Sequence, residues 1–330
     1  MKIFSFNSEL NKITGVQKVL LDIHKALRSV YSCIIVGTIP YENVNMNLHI
    51  NKNEYKQFIN PFMFYKSIVF VHERKFLLLF WLLNHFLFQQ IRVIYIHHNI
   101  LYGWRRLPIY PKVIVSISDR GTENLVKYFG IPTNHIHKIY NCVQDICPKV
   151  HRNNEKNYIT ILYPARINNV KRQIDIVNNL NGKISDKIKI LFAGEGPYYY
   201  QLKDLVKDNP QFICLGFRND ILKLLTEVDY IMLFSKHEGL PISLIEATMC
   251  GTPIICNDVG GNLEIAHKGA NAFIVNKWDE LTTCLNHLPD ISNNTYMNMT
   301  QESRKIYEQN FTFETFQQKY IDLIYKILNL

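Results

Sequence analysis

Two α/β domains, each built on a parallel sheet wound on both faces, are predicted by three observations. Short apolar β-type runs alternate with helical stretches from one end of the chain to the other. The alternation is broken once, at the polar, aperiodic stretch 145–156. And 330 residues are long for one core but comfortable for two. Hydrophobic residues make up 47% and charged residues 20%, the composition of a chain folded nearly throughout.

In the first half, strands are expected near 2–5, 33–36, 67–71, 93–96 and 113–116, with helices between them beginning at Gly15–Leu27. The second half repeats the pattern, with strands near 159–164, 189–193, 212–215, 230–234, 253–257 and 272–275. Both halves therefore read as Rossmann-like, and the break at 145–156 divides a domain 1–148 from a domain 149–312. Apolar residues at helical spacing over Phe313–Leu328 predict a terminal amphipathic helix.

Several classes are set aside early. Residues 1–7 read as a strand rather than a signal peptide, so a cytoplasmic protein is expected. The seven cysteines are scattered without a Cys-x-x-Cys pair, as in a reduced protein with no zinc site. The longest apolar stretch, 76–83 continuing to Phe88, is shorter than the roughly 20 residues of a spanning helix. It is read as an interior helix of the first domain; because it is bulky, aromatic and preceded by Arg74 and Lys75, peripheral contact with the inner face of an anionic membrane is the alternative. A net charge of +9 suits an anionic donor or membrane; the basic residues read as dispersed, and no DNA- or RNA-binding signature accompanies them. No Gly-x-Gly-x-x-Gly follows the first strand, which argues against a dehydrogenase, and no Gly-x-Ser-x-Gly elbow argues for a hydrolase.

The informative stretch is 235–253, which follows an apolar strand and so lies where open parallel sheets place their ligands. Gly239 lets backbone approach a ligand, Pro241 suits the first turn of a helix, and Gly251 ends that helix. Free N–H groups at such a start face an anion such as a diphosphate. Glu238 on the loop and Glu246 in the helix can accept paired hydrogen bonds from a sugar ring and a ribose. Spacing alone fits a solvated loop carboxylate and a surface helix carboxylate equally well.

Glu238 to Glu246 resembles the E-x7-E motif of the retaining, GT-B-fold glycosyltransferases called family 4, or glycosyl transferases group 1. Further segments match in order: Ala165-Arg166-Ile167 with Lys171, 192–197, Leu215-Gly216-Phe217, 251–254, and 258–261 followed by Glu264. The resemblance is specific across roughly 163–275. It implies a GT-B architecture, two Rossmann-like domains facing each other across a cleft, with the acceptor on the N-terminal side and the nucleotide sugar on the other. The helix 313–330 would pack back on the first domain. Arg166 and Lys171 would stabilise the charge building on the departing diphosphate. Glu238 would orient the donor sugar and Glu246 the ribose, with Gly239, Leu240 and Pro241 beside sugar or phosphate and Leu215 and Phe217 beside the base. Gly194 and Gly196 fit either a donor-binding role or a plain strand-to-helix turn.

The first half is looser. The loop 13–17 resembles the family's glycine-bearing loop, which implies donor binding at Gly15, but has only that one glycine where two adjacent glycines are common, and the Asn-Gly-Val-Asp turn is Asn141-Cys-Val-Gln144 here. The segment 95–99 resembles the strand end that carries an acceptor-side residue. His97 and His98 point to opposite faces of a strand; His98 is chosen as the catalytic residue, to bind an acceptor hydroxyl or assist proton transfer, and His72 is read as structural. No Asp-x-Asp metal motif is present, and the resemblance implies retaining, metal-independent hexosyl transfer. The donor would be a nucleotide sugar, UDP-linked, and no cofactor would be needed. The acceptor would be a glycan or lipid-linked saccharide of bacterial surface polysaccharide or lipopolysaccharide synthesis. An inactive nucleotide-sugar-binding partner subunit and a GT-B epimerase or hydrolase are the rivals.

Overall fold

A computed structural model describes residues 1–103, 105, 109–146 and 157–329. Most of the expected linker 145–156, including Cys147, lies outside them. The chain divides into a first unit, Met1–Cys142 with Phe313–Leu330, and a second, Val143–Thr312.

The first unit carries β1 (Lys2–Phe6), α1 (Gly15–Leu27), β2 (Ser32–Gly37), β3 (Tyr55–Gln57), β4 (Ile68–Val71), α2 (Leu77–Phe86), β5 (Arg92–His97), β6 (Val113–Ser116), α3 (Asp119–Glu123) and β7 (Ile136–Lys138). Its seven strands are parallel in the order β3-β2-β1-β4-β5-β6-β7. All four residues of β4 are buried, as expected of a central strand covered on both faces. Thr14 caps α1 by accepting from the Val16 N–H, and Val19, Leu20, Ile23 and Leu27 face the core at helical spacing. The edge strands β3 and β7 have no counterpart in the sequence reading. Each has three residues, Tyr-Lys-Gln and Ile-His-Lys, too short and polar to leave a hydrophobic run.

Helix α2 is not interior on all sides. Leu77, Phe80 and Leu83 pack into the core while Leu78, Trp81 and Leu82 face outward, because a ten-residue helix laid on one sheet face can bury only one stripe.

The second unit carries β8 (Ile159–Pro164), α4 (Gln173–Leu180), β9 (Ile188–Ala193), α5 (Tyr199–Val206), β10 (Phe212–Gly216), α6 (Ile221–Glu227), β11 (Tyr230–Leu233), α7 (Ile242–Cys250), β12 (Ile254–Cys256), β13 (Ala272–Ile274), α8 (Trp278–His287) and α9 (Asn293–Asn310). Its six strands are parallel in the order β10-β9-β8-β11-β12-β13. Strand order reverses between β8 and β11, and a buried polar lock fixes their register. Asp229 accepts from both the N–H and the hydroxyl of Thr160 at 2.8 Å. Tyr296 on α9 donates to the Asp229 carbonyl at 2.9 Å, which ties that helix to the same point.

The last helix, α10 (Phe313–Leu328), packs on α1, and Gln317 donates to the Ala26 carbonyl at 2.9 Å. Tyr320 is fully buried between Phe316 (centroids 4.7 Å) and Phe70 (5.9 Å), yet its hydroxyl has no hydrogen-bond partner. Tyr320→Ala should therefore cost about 3–5 kcal/mol for the lost aromatic volume. Tyr320→Phe should be neutral or stabilising, since it removes an unpaired buried hydroxyl. Urea unfolding midpoints of the two variants check both.

Candidate functional site

In the second unit the loops following β8 and β11 meet at the point where strand order reverses, the crevice position of open parallel sheets. They are tied by backbone first: the Lys236 N–H donates to the Val170 carbonyl at 2.8 Å. Tyr163, buried in β8, donates its hydroxyl to the Lys171 carbonyl at 2.7 Å and accepts from the Phe234 N–H at 3.1 Å. On this frame the Lys171 ammonium sits 2.5 Å from a carboxylate oxygen of Glu238. Glu238 is buried and Lys171 partly so, which makes the pair stronger than an exposed one. Arg166, two residues past β8, is exposed, and its side chain lies beside Gly196.

The glycines explain how these loops come so close. A β-carbon on Gly194 would stand 2.2 Å from the Ala165 carbonyl oxygen, and one on Gly196 would stand 2.3 Å from that of Ile167. Both therefore hold the loop after β9 against the loop bearing Arg166. Gly260 matters in the same way. It has φ +54°, and a β-carbon there would lie 2.2 Å from the Glu238 carbonyl oxygen. The adjacent Gly261 N–H donates to the Gly239 carbonyl at 2.6 Å. Asn257 adds a two-way bond to the Ser235 backbone, accepting from its N–H at 3.1 Å and donating to its carbonyl at 2.7 Å. Gly239, Leu240 and Pro241 are buried where α7 begins; Glu246 lies further along that helix, partly exposed. Leu215 and Phe217 lie at the end of β10, Leu215 half-buried and Phe217 exposed.

Sequence reasoning gave no role to Gly260, Asn257 or Arg172. Arg172 has left-handed backbone, and its guanidinium lies over the rings of Trp278 (4.4 Å) and Phe234 (4.9 Å), bracing the Lys171 loop. The Asp-Val-Gly-Gly run at 258–261 was the available signal for Gly260.

In the first unit a cavity of about 480 Å³ opens beside the ends of β4 and β5, lined by Val16, His72, Arg74, Tyr95, His98 and Asn99 among others. Gly15, the exposed first residue of α1, adjoins Val16. His98 lines this cavity and His97 does not, in keeping with strand alternation. His72, read as structural, lines it too, with its Nδ1 3.0 Å from His98 Nε2 and the rings stacked. Burial first and the neighbouring His97 second push His98 down to about 3; burial also takes His97 down to about 4 and His72 well below its ordinary value. All three are thus neutral near pH 7. His72 Nε2 is buried without a partner, which favours the tautomer with Nδ1–H donating to His98, since a bare ring nitrogen is less costly than an unpaired N–H. His98 then has its Nε2 occupied and offers only an N–H.

Among the described residues no group of three His, Cys, Asp or Glu side chains is placed to hold a metal ion.

Residues 146–306, most of the second unit, match the family model for glycosyl transferases group 1. Both units together have the GT-B fold. The HepE protein of Anabaena, solved with UDP, superposes with a TM-score of 0.85 over 99% of this chain and 100% of its own, at 17% identity. In sequence, the chain is 25% identical over 174 residues to the N-acetyl-alpha-D-glucosaminyl L-malate synthase of Bacillus anthracis, covering 51% of this chain and 45% of that protein. It is 25% identical over 208 residues to the O-antigen biosynthesis glycosyltransferase WbnH of Escherichia coli, covering 62% and 59%. The chain thus spans about half the length of the curated relatives it matches.

Two predictions follow from this geometry. Gly260→Ala should lose at least about 2 kcal/mol and weaken anion binding at the Glu238 loop. Gly269→Ala is the control: Gly269 has φ +77° but nothing within 4 Å of its β-carbon position, so it should lose only about 1 kcal/mol. Urea midpoints and ligand titration of the two variants separate the clash from the backbone strain. The histidines give a pH dependence. Their folded pKa values lie below the unfolded value of about 6.5, so the stability they contribute is complete above pH 6.5 and is lost as pH falls toward 4 and 3. A His72→Asn, His98→Asn double variant should show a shallower fall of Tm across that window than the parent chain.

Proposed function

We propose that this chain is a glycosyltransferase of the retaining family 4 type, moving a hexose from a UDP-linked donor to a glycan or lipid-linked saccharide in bacterial surface polysaccharide or lipopolysaccharide synthesis. The observation that carries the reading is the Lys171–Glu238 pair at 2.5 Å on loops held by glycine-mediated backbone contact. Such a pair supplies one cation for a diphosphate and one carboxylate for sugar hydroxyls within reach of a single ligand. The family match over the second unit, the UDP in the HepE structure and the O-antigen assignment of WbnH support donor and pathway class.

In this reading the second unit takes the donor. Arg166 and Lys171 hold the diphosphate, Glu238 the sugar, Glu246 the ribose, and Leu215 and Phe217 flank the base. Gly194 and Gly196 keep Arg166 in place. The bond from the anomeric carbon to the diphosphate oxygen breaks, and the electron pair leaves with the nucleoside diphosphate. The acceptor hydroxyl attacks from the same face and its proton passes to the departing oxygen. Cationic side chains and the start of α7 stabilise the developing charge, so neither a divalent ion nor any other cofactor is required. The first unit takes the acceptor beside His98, and Gly15 at the start of α1 contributes to donor binding. A histidine pushed down to about 3 is a poor base at neutral pH, so His98 binds an acceptor hydroxyl through its N–H rather than taking its proton. The reaction is cytoplasmic, where nucleotide sugars are made; no helix among the described residues is long and apolar enough to cross a membrane.

The test is a panel of nucleotide sugars with the purified chain, read by thermal shift, donor hydrolysis and transfer. One donor should raise Tm and turn over, with and without chelator. Arg166→Ala and Glu238→Ala should each reduce turnover by about 100-fold or more. Donor binding without turnover would assign the chain to an inactive partner subunit, and activity abolished by chelator would overturn the metal-independent step.

A further inference from the structure

The outward face of α2 is apolar and, apart from Leu78, which lines the cavity beside His98, has no part in the glycosyl-transfer reading. Leu78, Trp81, Leu82 and Phe86 follow one another at helical spacing on that face and continue into Leu87 and Phe88. Phe86 is 64% and Phe88 76% exposed, among the most exposed large apolar side chains of the first unit. The backbone holds them there. Phe88 and Gln90 both have left-handed φ, +47° and +54°, and between them Gln89 turns fully inward. An aromatic residue adopts that conformation only where the surroundings impose it. The Asn84 side chain closes the loop, accepting from the Ile91 N–H at 2.7 Å and donating to its carbonyl at 2.8 Å. A second loop joins the first where the Lys66 N–H donates to the Gln89 carbonyl at 2.9 Å, and this loop exposes Phe62 and Tyr65.

Charge identifies the occupant. Between residues 57 and 118 the sequence has seven Lys or Arg and one acid, Glu73. That acid is engaged: Glu73 accepts from the Ser8 hydroxyl at 2.8 Å and pairs with Lys75 at 2.9 Å. Lys66 lies beside Tyr65, Arg74 and Lys75 precede α2, and an apolar groove beginning at Trp81 is bordered by Arg92 and Lys112. A second protein would need acidic groups matched one by one to these cations, whereas an anionic bilayer offers a continuous sheet of charge above hydrocarbon. Trp and Phe on a ten-residue helix too short to span, with Arg and Lys in the turn just before it, is the composition of an element lying in a membrane interface.

We propose that the outer face of α2, with the adjoining loops at 62–66 and 86–88, docks this protein on an anionic membrane surface. The inference does not rest on the sugar-transfer reading, and its test needs no donor. The chain is sedimented with phosphatidylcholine vesicles with and without phosphatidylglycerol at low salt, beside a triple variant Trp81→Glu, Phe86→Glu, Phe88→Glu. These side chains are exposed, so circular dichroism and Tm should match the parent. The parent chain should bind the anionic vesicles at least about tenfold better than the neutral ones, and about 0.5 M NaCl should weaken that binding. The triple variant should lose it. Brominated lipid should quench tryptophan fluorescence in the parent chain, and Trp81→Phe should remove most of that quenching. Equal binding to both vesicle types, or binding unchanged in the triple variant, would overturn the proposal. So would a concentration-dependent dimer abolished by the same substitutions, which would assign the face to a second copy of the chain.

Discussion

The candidate donor site depends on how closely four loops at the carboxyl edge of the second sheet approach one another. Parallel strands buried on both faces leave only their ends open, so ligand-facing groups must come from the loops. Loops carry side chains that ordinarily keep their backbones apart. Here Gly194 and Gly196 remove that obstacle between the loops after β8 and β9, and Gly260 removes it beneath Glu238. Tyr163 then spans from Lys171 to Phe234, so the cation and the carboxylate are positioned from one buried ring hydroxyl. The ion pair is the outcome of this backbone packing rather than its cause: a partly exposed Lys–Glu pair contributes too little to draw loops together.

The first unit solves a different problem. Its cavity is lined by imidazoles that burial keeps uncharged, and His72 uses its contact with His98 to satisfy one nitrogen on each ring. A charged group there would add to Arg74, which lines the same cavity. Neutral rings instead offer hydrogen bonds without further positive charge, which suits hydroxyl groups better than an anion.

Most of the fold was legible because buried parallel strands leave apolar runs that alternation with helices makes unambiguous; β8 and α10 fall where periodicity put them. The strands β3 and β7 were not, since each has three polar-rich residues whose pairing is decided by the neighbouring strand. Within the site, the motif reading brought Lys171 and Glu238 to one place although 67 positions separate them. It left open what Gly194 and Gly196 do, and a glycine's role is a matter of what would otherwise collide, which one sequence does not state. The His72–His98 contact joins two strand ends adjacent only through β4–β5 pairing, so neither histidine alone announces it.

The net charge illustrates how a bulk number misleads until it is placed. A net charge of +9 invites the view that the charge serves an anionic donor. Yet Lys171 is already matched by Glu238, so the pair contributes little net field. Residues 57–118 carry seven basic residues and one acid, a balance of +6 out of +9, in the same segment as the outward apolar face of α2. Read along the chain these residues seem dispersed, because strands and helices separate them; folding brings several to one region of a single unit. Charge that is screened within about 8 Å at physiological salt acts only where it is concentrated beside its partner. The net positive charge of this protein therefore lies in the first unit, and the arrangement of the candidate site in the second rests on backbone geometry.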